Sequence, residues 1–149
     1  MTVATETAFL AGLLHHIGKI VLLRYLVTLP ADDPARVATL REPTLIEFLD
    51  ALHCRVGDVL CAAWNIPLDL RAVVLRHHET ELQAPKDLLI AVVQVANLMA
   101  AKIGVSSHSD RNISLLDTAG SNLLRLDDVK LASLLIELED DWHAIEGVL

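Results

Sequence analysis

The sequence predicts an all-α fold, a bundle of about six to eight helices. Apolar residues recur at offsets of three and four through most of the chain, which is the period of an amphipathic helix. Proline and glycine residues stand between these periodic segments, where they end one helix or open the next. One apolar run, Ile20 to Val27, is short enough to be a strand or a helix. Because no other segment is a strand candidate, we expect a helix there as well.

The first two predicted helices meet near a pair of adjacent histidines. An apolar run begins at Thr5 or Thr7, either of which can act as the N-cap, and it continues to His16. Gly18 follows, and a glycine inside a helix weakens it by about 1 kcal/mol relative to alanine. We therefore expect a break at Gly18 and a second helix that contains Ile20.

Prolines divide the middle of the chain. Two prolines within residues 30–34 predict a loop or one short turn. Thr44, followed three positions later by Glu47, has the spacing of a capping box with Thr44 as the N-cap. This helix runs to about Leu52, and residues 53–64 form a further helix or continue it after a bend. Pro67 suits the first turn of the next helix, because the amide hydrogen that proline lacks is not needed there.

The second half of the chain contains the most apolar predicted helix. Pro85 opens it, and Gly104 ends it as a favourable C-cap residue. The segment from Ser114 to Leu124 predicts a short helix that is broken by Gly120. Asp127 then caps the last helix.

The composition argues against a nucleic-acid partner. The chain carries 20 acidic and 12 basic residues, for a net charge of −8. It has no stripe of Lys and Arg of the kind that binds phosphate backbones. Aromatic residues make up 3% of the chain, so platforms for stacking bases are scarce.

The same survey predicts a cytoplasmic protein without a membrane span. Cys54 and Cys61 lie seven positions apart, too far along one helix for a disulfide, and we expect reduced thiols. The stretch before Ala8 contains Glu6 and no basic residue, which is unlike a secretory signal. The apolar segment Leu88–Ile103 is interrupted by polar residues and is short for a membrane span.

Polar residues within apolar helical segments are the candidate functional residues. A buried polar group is costly unless it is paired, and helical bundles build metal sites from such groups at their centre. The separations of these histidines match no compact zinc motif, so for any one of them alone we expect a satisfied core or surface residue rather than a ligand. The candidates are His15, His16, His53, His77, His78, Gln94 and Asn97.

Four segments of the chain resemble motifs of the HD superfamily, which comprises all-helical metal-dependent phosphohydrolases and their inactive relatives. Residues 11–19, Ala-Gly-Leu-Leu-His-His-Ile-Gly-Lys, resemble its His-Asp-Ile-Gly-Lys signature. Residues 49–57 resemble its His-x-x-x-Gly helix, and residues 61–79 its Trp-x-Leu-Pro segment with the following His-His pair. Residues 92–97 resemble the helix of the last metal-binding Asp. Their order is most similar to the HDOD branch, which is associated with bacterial signalling and regulation.

The resemblance implies a metal site that has lost ligands. Position 16 is His and position 97 is Asn, where active relatives place Asp. None of the 14 residues before His15 is a histidine, so the family's first His ligand is absent from this chain. Lys19 stands where active relatives place a Lys that faces the substrate, although a surface charge at a helix end is the more modest interpretation. The implied ligands are His15, His53, His77 and His78, and the implied polar neighbours are His16, Lys19, Gln94 and Asn97.

These departures predict that two-metal hydrolysis is lost. Pairs of hard divalent cations are held by carboxylate oxygen, and both carboxylates are missing. We therefore expect no catalytic residue and no cofactor. The remaining imidazoles could still suit a single Zn or Ni ion. We expect instead that they form a hydrogen-bonded polar network with one another and with Asn97.

The leading functional prediction is a non-catalytic bacterial signalling module. It would act through a protein partner or through self-association, with a homodimer as the first expectation and a fragment of a longer chain as the alternative. We expect one HD-like domain over residues 1–149, without the family's front helices, with a core at 8–103 and C-terminal helices at 113–149. A second hypothesis is a phosphohydrolase of nucleotides or cyclic dinucleotides. A third is a sensor that binds a small molecule in the same pocket.

Overall fold

A computed structural model describes residues 3–28, 42–106 and 109–148, and these residues contain seven α-helices and no strand. The prediction of an all-α bundle is confirmed. The helices are α1 (Thr5–Leu14), α2 (Ile17–Thr28), α3 (Glu42–Ala63), α4 (Leu68–Arg76), α5 (Leu88–Ile103), α6 (Ala119–Leu124) and α7 (Asp128–Glu146).

The helices divide between two compact units. The first unit, Ala4–His77, contains α1 to α4. The second unit, Met1–Val3 and His78–Leu149, contains α5 to α7. The organisation of the whole chain as one domain stays a prediction.

A close crossing of α2 and α3 is built on glycine. A Cβ on Gly18 would overlap the carbonyl oxygen of His53 and lie 2.8 Å from the backbone nitrogen of Gly57. Gly18 is therefore buried inside α2, and the predicted break at this residue is wrong. The break lies at His15 and His16 instead. The packing against α3 outweighs the low helix propensity of glycine.

Two predicted N-caps in the first unit are also wrong. Helix α1 begins with Thr5 as its first residue and with Ala4 at the N-cap position. Helix α3 begins at Glu42, so Thr44 lies inside it, and Pro43 takes the first-turn position where its missing hydrogen is not needed. Helix α3 then continues through His53 to Ala63 without interruption. The predicted loop at residues 30–34 lies outside the described residues.

Helix α4 follows Pro67, which is its N-cap residue, and ends at Arg76 with His77 as the C-cap. It buries Leu70, Val73 and Val74 along one face. This face and the contacts of α4 with α1 and α3 hold His77 at a buried end of the helix.

In the second unit, helix α5 begins at Leu88, three residues after the predicted opening at Pro85, and it ends as predicted at Gly104, which has φ 91°. Helix α6 begins only at Ala119 and contains Gly120, so the prediction of a helix from Ser114 that breaks at Gly120 is wrong.

Gly120 lies against α5, because its Cβ would sit 2.9 Å from the Ala91 carbonyl. The predicted cap at Asp127 is confirmed, since its Oδ1 accepts from Lys130 N at 2.9 Å. The core of this unit is formed by Val95, Met99, Leu115 and Leu131.

The stretch Thr5–Thr28, which comprises α1 and α2, has the length and composition of a membrane span. Core helices of soluble proteins and signal sequences share this length and composition. The stretch also turns at His15 and His16. It does not indicate a membrane protein, and a cytoplasmic location stays a prediction.

Candidate histidine site

Four imidazole rings meet inside the first unit, and we call them the histidine cluster: His15, His16, His53 and His77. His15 and His16 form the turn between α1 and α2, His53 lies within α3, and His77 follows α4. The ring centroids of His15 and His16 are 3.9 Å apart. The His16 ring is 5.2 Å from His53 and 5.2 Å from His77, and those two are 5.3 Å apart. The fold thus brings together rings from all four helices of the unit.

Three of these rings are oriented by the helices that carry them. His53 Nδ1 donates to the Leu49 carbonyl at 2.9 Å. His77 Nδ1 donates to the Val73 carbonyl at 3.1 Å. His15 Nδ1 likewise contacts the Gly12 carbonyl at 2.6 Å. Because a carbonyl oxygen only accepts, each Nδ1 carries the hydrogen, and each Nε2 is left with a lone pair in the neutral ring.

The lone pairs of His53 and His77 face each other. Their Nε2 atoms are 3.3 Å apart, and the two side chains are completely buried. Two lone pairs repel at this distance unless a hydrogen or a cation lies between them. The Sγ atom of Cys54 is 3.4 Å from His53 Nε2, and burial raises the pKa of this thiol, so that it keeps the hydrogen it can donate. The two nitrogens are therefore positioned as donors to a metal ion, whereas the lowered pKa of His53 argues against an added proton.

Burial favours the neutral form of two rings of the cluster, His16 and His53. Desolvation lowers the pKa of His16 to about 2, and the neighbouring His15 and Lys19 lower it further. Desolvation also lowers the pKa of His53. Neutral imidazoles are the form that binds metals and the form that accepts hydrogen bonds through Nε2.

An ion pair lies beside the cluster. Lys19 Nζ is 3.0 Å from Asp50 Oδ1, and the Lys19 side chain is only 16% exposed. The interpretation of Lys19 as a surface charge is therefore wrong, because α3 covers it with a carboxylate. Its positive charge contributes to the lowered pKa of both His16 and His53. Asp50 was missed from the sequence, although it precedes His53 by one helical turn on α3.

The ring nitrogens that could bind one ion come from His16, His53 and His77. One nitrogen of each lies within 4.8 Å of the others. His16, expected as a neighbour, thus joins the group, whereas His15 packs beside it. Among the described residues this group contains imidazoles and no carboxylate. Such a donor set suits a single Zn or Ni ion and does not fit a pair of hard divalent cations. Metal binding itself stays a prediction.

The other predicted site residues belong to the second unit. His78 is its first residue after the boundary and is exposed. Gln94 is buried on α5, where its Nε2 donates to the Glu79 carbonyl at 2.8 Å and its Oε1 accepts from Gly120 N at 2.7 Å. Through these two hydrogen bonds, the Gln94 side chain links α6 and the backbone at Glu79 to α5. Asn97 is half-buried on the same helix.

The second unit also contains a cavity of about 420 Å³ that no sequence signal indicated. Lys102 and Arg111 border it together with Trp142. The ammonium group of Lys102 is already used, since it donates to the carbonyls of Arg111 and Ile113. None of the predicted site residues lines this cavity.

Comparison with known families finds a match that covers the first unit. The model of the HDOD domain matches residues 1–80, which is more than half of the chain and includes α1 to α4. The chain belongs to the HDOD family. This family is related to the HD superfamily, a group of metal-associated domains, and membership points to a signalling module. No curated protein and no solved structure matches the chain. Because the match ends at residue 80, the correspondence of Asn97 to a metal-binding Asp stays a prediction.

Proposed function

We propose that this HDOD protein is a non-catalytic module of bacterial signalling that acts by associating with a protein partner or with itself. The observation that carries the proposal is the chemistry of the histidine cluster. His16 stands where active relatives carry the motif Asp, and the group formed with His53 and His77 offers imidazole nitrogen alone. Hydrolysis by two metals needs anionic oxygen to hold both ions.

The ion pair beside the cluster supports the same conclusion. The carboxylate of Asp50 is held by Lys19 at 3.0 Å, so it is engaged with another cation. The Lys19 ammonium lies close enough to lower the pKa of His16 and His53. A dication placed among these rings would be repelled by the same charge. The surroundings of the cluster therefore favour neutral ring-to-ring contacts.

A structural role for the cluster follows from its position. Its rings belong to the α1–α2 turn, to α3 and to the end of α4, so contacts among them tie these elements together. His53 and His77 are as deeply buried as the aliphatic core residues Val73 and Val74. In this proposal the former catalytic centre serves as the polar core of a binding module.

The experiment measures metal content and turnover on the same preparation of the full chain. Elemental analysis is followed by phosphodiesterase assays on nucleotides and cyclic dinucleotides in Mn and in Ni. We expect no stoichiometric metal and no turnover. His77→Ala and His143→Ala, an exposed histidine on α7, should give the same baseline. Stoichiometric metal together with turnover that is lost in His77→Ala and kept in His143→Ala would overturn the proposal.

One observation favours the second candidate, a metal-dependent phosphohydrolase of nucleotides or cyclic dinucleotides. The facing Nε2 atoms of His53 and His77, together with the nearby ring of His16, could serve as three ligands of one ion. A single zinc ion with three protein ligands can activate a water molecule. Bound metal without turnover would retain the non-catalytic module and would show that its imidazoles hold a structural ion.

A further inference from the structure

Helices α1 and α2 expose most of their apolar side chains. Along α1 the buried residue is Ala11, and along α2 the buried residues are Gly18 and Leu22. The large apolar side chains that remain exposed, by between 42% and 78%, are Phe9, Leu10, Leu13, Ile20, Leu23, Tyr25 and Val27. We call these seven side chains the α1–α2 face. Large exposed apolar patches mark interaction sites in soluble proteins.

The exposed residues form stripes at helical spacing. Ile20, Leu23 and Val27 lie at offsets of three and seven, and so they share one side of α2. Phe9 and Leu13 are four positions apart and share one side of α1. Around the helix axis, each stripe lies on a different side from the buried residue, Ala11 on α1 and Leu22 on α2. Each helix therefore packs with one side and presents an ordered apolar row on another.

The charges around this face fit a second copy of the chain. From Ala4 to Thr28 the charged residues are Glu6, Lys19 and Arg24. Lys19 is paired with Asp50, which leaves one exposed acid and one exposed base. A two-fold interface juxtaposes a surface with itself, and an almost neutral face with one charge of each sign is compatible with that. Anionic lipid instead attracts clusters of basic residues, which this stretch lacks.

The size of the face also agrees with a dimer. The five side chains of the two stripes are each at least 42% exposed, so a second copy that covers them removes a substantial apolar surface from water. Burial of apolar surface is the dominant favourable contribution to association.

We infer that the α1–α2 face is the surface through which a second copy of this chain docks, and that the protein is a two-fold homodimer. The inference rests on the proposed function in one respect, since it takes association as the way the module acts. It adds the surface and the partner. The two claims are independent in measurement, because one concerns turnover and the other concerns mass in solution.

The test compares Ile20→Glu with Ile136→Glu by analytical ultracentrifugation of the full chain over a wide range of concentration. Both residues are isoleucines inside helices, with 64% and 60% of their surface exposed, and only Ile20 belongs to the α1–α2 face. We expect the wild type and Ile136→Glu to be dimers. In Ile20→Glu a buried charge should raise the dissociation constant at least about tenfold, which is about 1.4 kcal/mol. Phe9→Ser on α1 should act in the same direction, and circular dichroism checks the fold of each variant.

Several results would overturn the inference. A wild type that stays monomeric at every concentration would do so, and so would a dimer that survives in both Ile20→Glu and Phe9→Ser. Flotation of monomeric protein with vesicles of phosphatidylcholine, or of phosphatidylcholine and phosphatidylserine, would assign the face to a membrane. A monomeric protein without turnover would overturn the dimer and leave the non-catalytic function standing. A dimer with metal-dependent turnover would overturn the non-catalytic function and leave the dimer standing.

Discussion

The Nε2 atoms of His53 and His77 face each other at 3.3 Å while both rings donate through Nδ1 to carbonyls of their own helices. These backbone contacts fix the orientation of both rings, so neither can rotate to relieve the approach without losing a hydrogen bond. A soft cation between the two nitrogens would stabilise the arrangement. The pair therefore links α3 to α4 through a polar contact inside the first unit.

Replacement of His53 by alanine should destabilise the protein. The side chain is completely buried, and its removal leaves a cavity and takes away the partner of His77 Nε2. We expect a loss of about 2–4 kcal/mol in the free energy of unfolding, measured by urea denaturation.

His143→Ala is the control for this loss, because His143 is exposed on α7, and it should stay within about 0.5 kcal/mol of the wild type. A His53→Ala variant as stable as His143→Ala would contradict the structural role of the cluster.

Two glycines should respond in opposite directions to alanine. A Cβ on Gly18 would overlap the His53 carbonyl, so Gly18→Ala forces α2 away from α3 and should cost about 3 kcal/mol or more. Gly12 lies in α1, and a Cβ added there would meet nothing within 4 Å, so Gly12→Ala should stabilise the protein by about 0.5–1 kcal/mol. Thermal or urea unfolding of both variants measures the two effects.

The same measurement can refute the proposed crossing. If Gly18→Ala were neutral or stabilising like Gly12→Ala, the backbones of α2 and α3 could not approach each other at this point as closely as described.

Lys19 and Asp50 form an ion pair, and removal of Asp50 should lower the stability of the protein more than removal of Lys19. Asp50→Asn leaves the largely buried ammonium of Lys19 without its carboxylate and should cost about 1–2 kcal/mol, a range reduced because Asp50 itself is 42% exposed. Lys19→Met leaves the more exposed carboxylate, which water can solvate, and should cost less.

Asp127 and Lys130 form an exposed pair at 3.4 Å, and Lys130→Met is the matched control for the removal of a lysine from an ion pair. Its effect on urea unfolding should be within about 0.5 kcal/mol. Equal losses for Asp50→Asn and Lys19→Met would show that burial of Lys19 does not govern this pair.

Local sequence signals predicted some elements and failed where distant residues decide the outcome. Gly104 and Asp127 act as predicted because a cap depends on its own turn of backbone. Gly18 does not break its helix, because the carbonyl that it accommodates belongs to α3 and is invisible in the spacing around Gly18. The Thr44 cap failed because a helix that can begin with Pro43 in its first turn has no need of a start at Thr44.

In the candidate site, too, contacts between residues distant in the sequence could not be predicted from local spacing. The approach of His16, His53 and His77 could be expected from the resemblance to a family, whose motif order carries information about long-range contacts. Spacing alone could not predict it, since these residues lie on separate helices. The role of Asp50 could not be predicted from spacing either, because its partner Lys19 approaches it only when α2 packs on α3.

Stability should fall as the protein is acidified through the mildly acidic range. Burial lowers the pKa of His16 to about 2 and also lowers that of His53, whereas both titrate near 6.5 in the unfolded chain. Below that value these histidines bind protons in the unfolded state but not in the folded state, so the free energy of unfolding decreases as the pH falls. A fully excluded histidine contributes about 1.4 kcal/mol for each pH unit, and the partly exposed His16 should contribute less.

Urea unfolding at about pH 7 and about pH 5 measures this slope, and His16→Gln should flatten it because glutamine does not titrate. His143→Gln, which removes an exposed histidine, should keep the slope of the wild type. Asp127, whose pKa is lowered by the Lys130 amide, loses its contribution only in more acidic solution and so does not obscure the comparison. A free energy of unfolding that stayed constant or rose between the two pH values would show that the folded cluster accepts protons, because only then would the folded state bind as many protons as the unfolded chain.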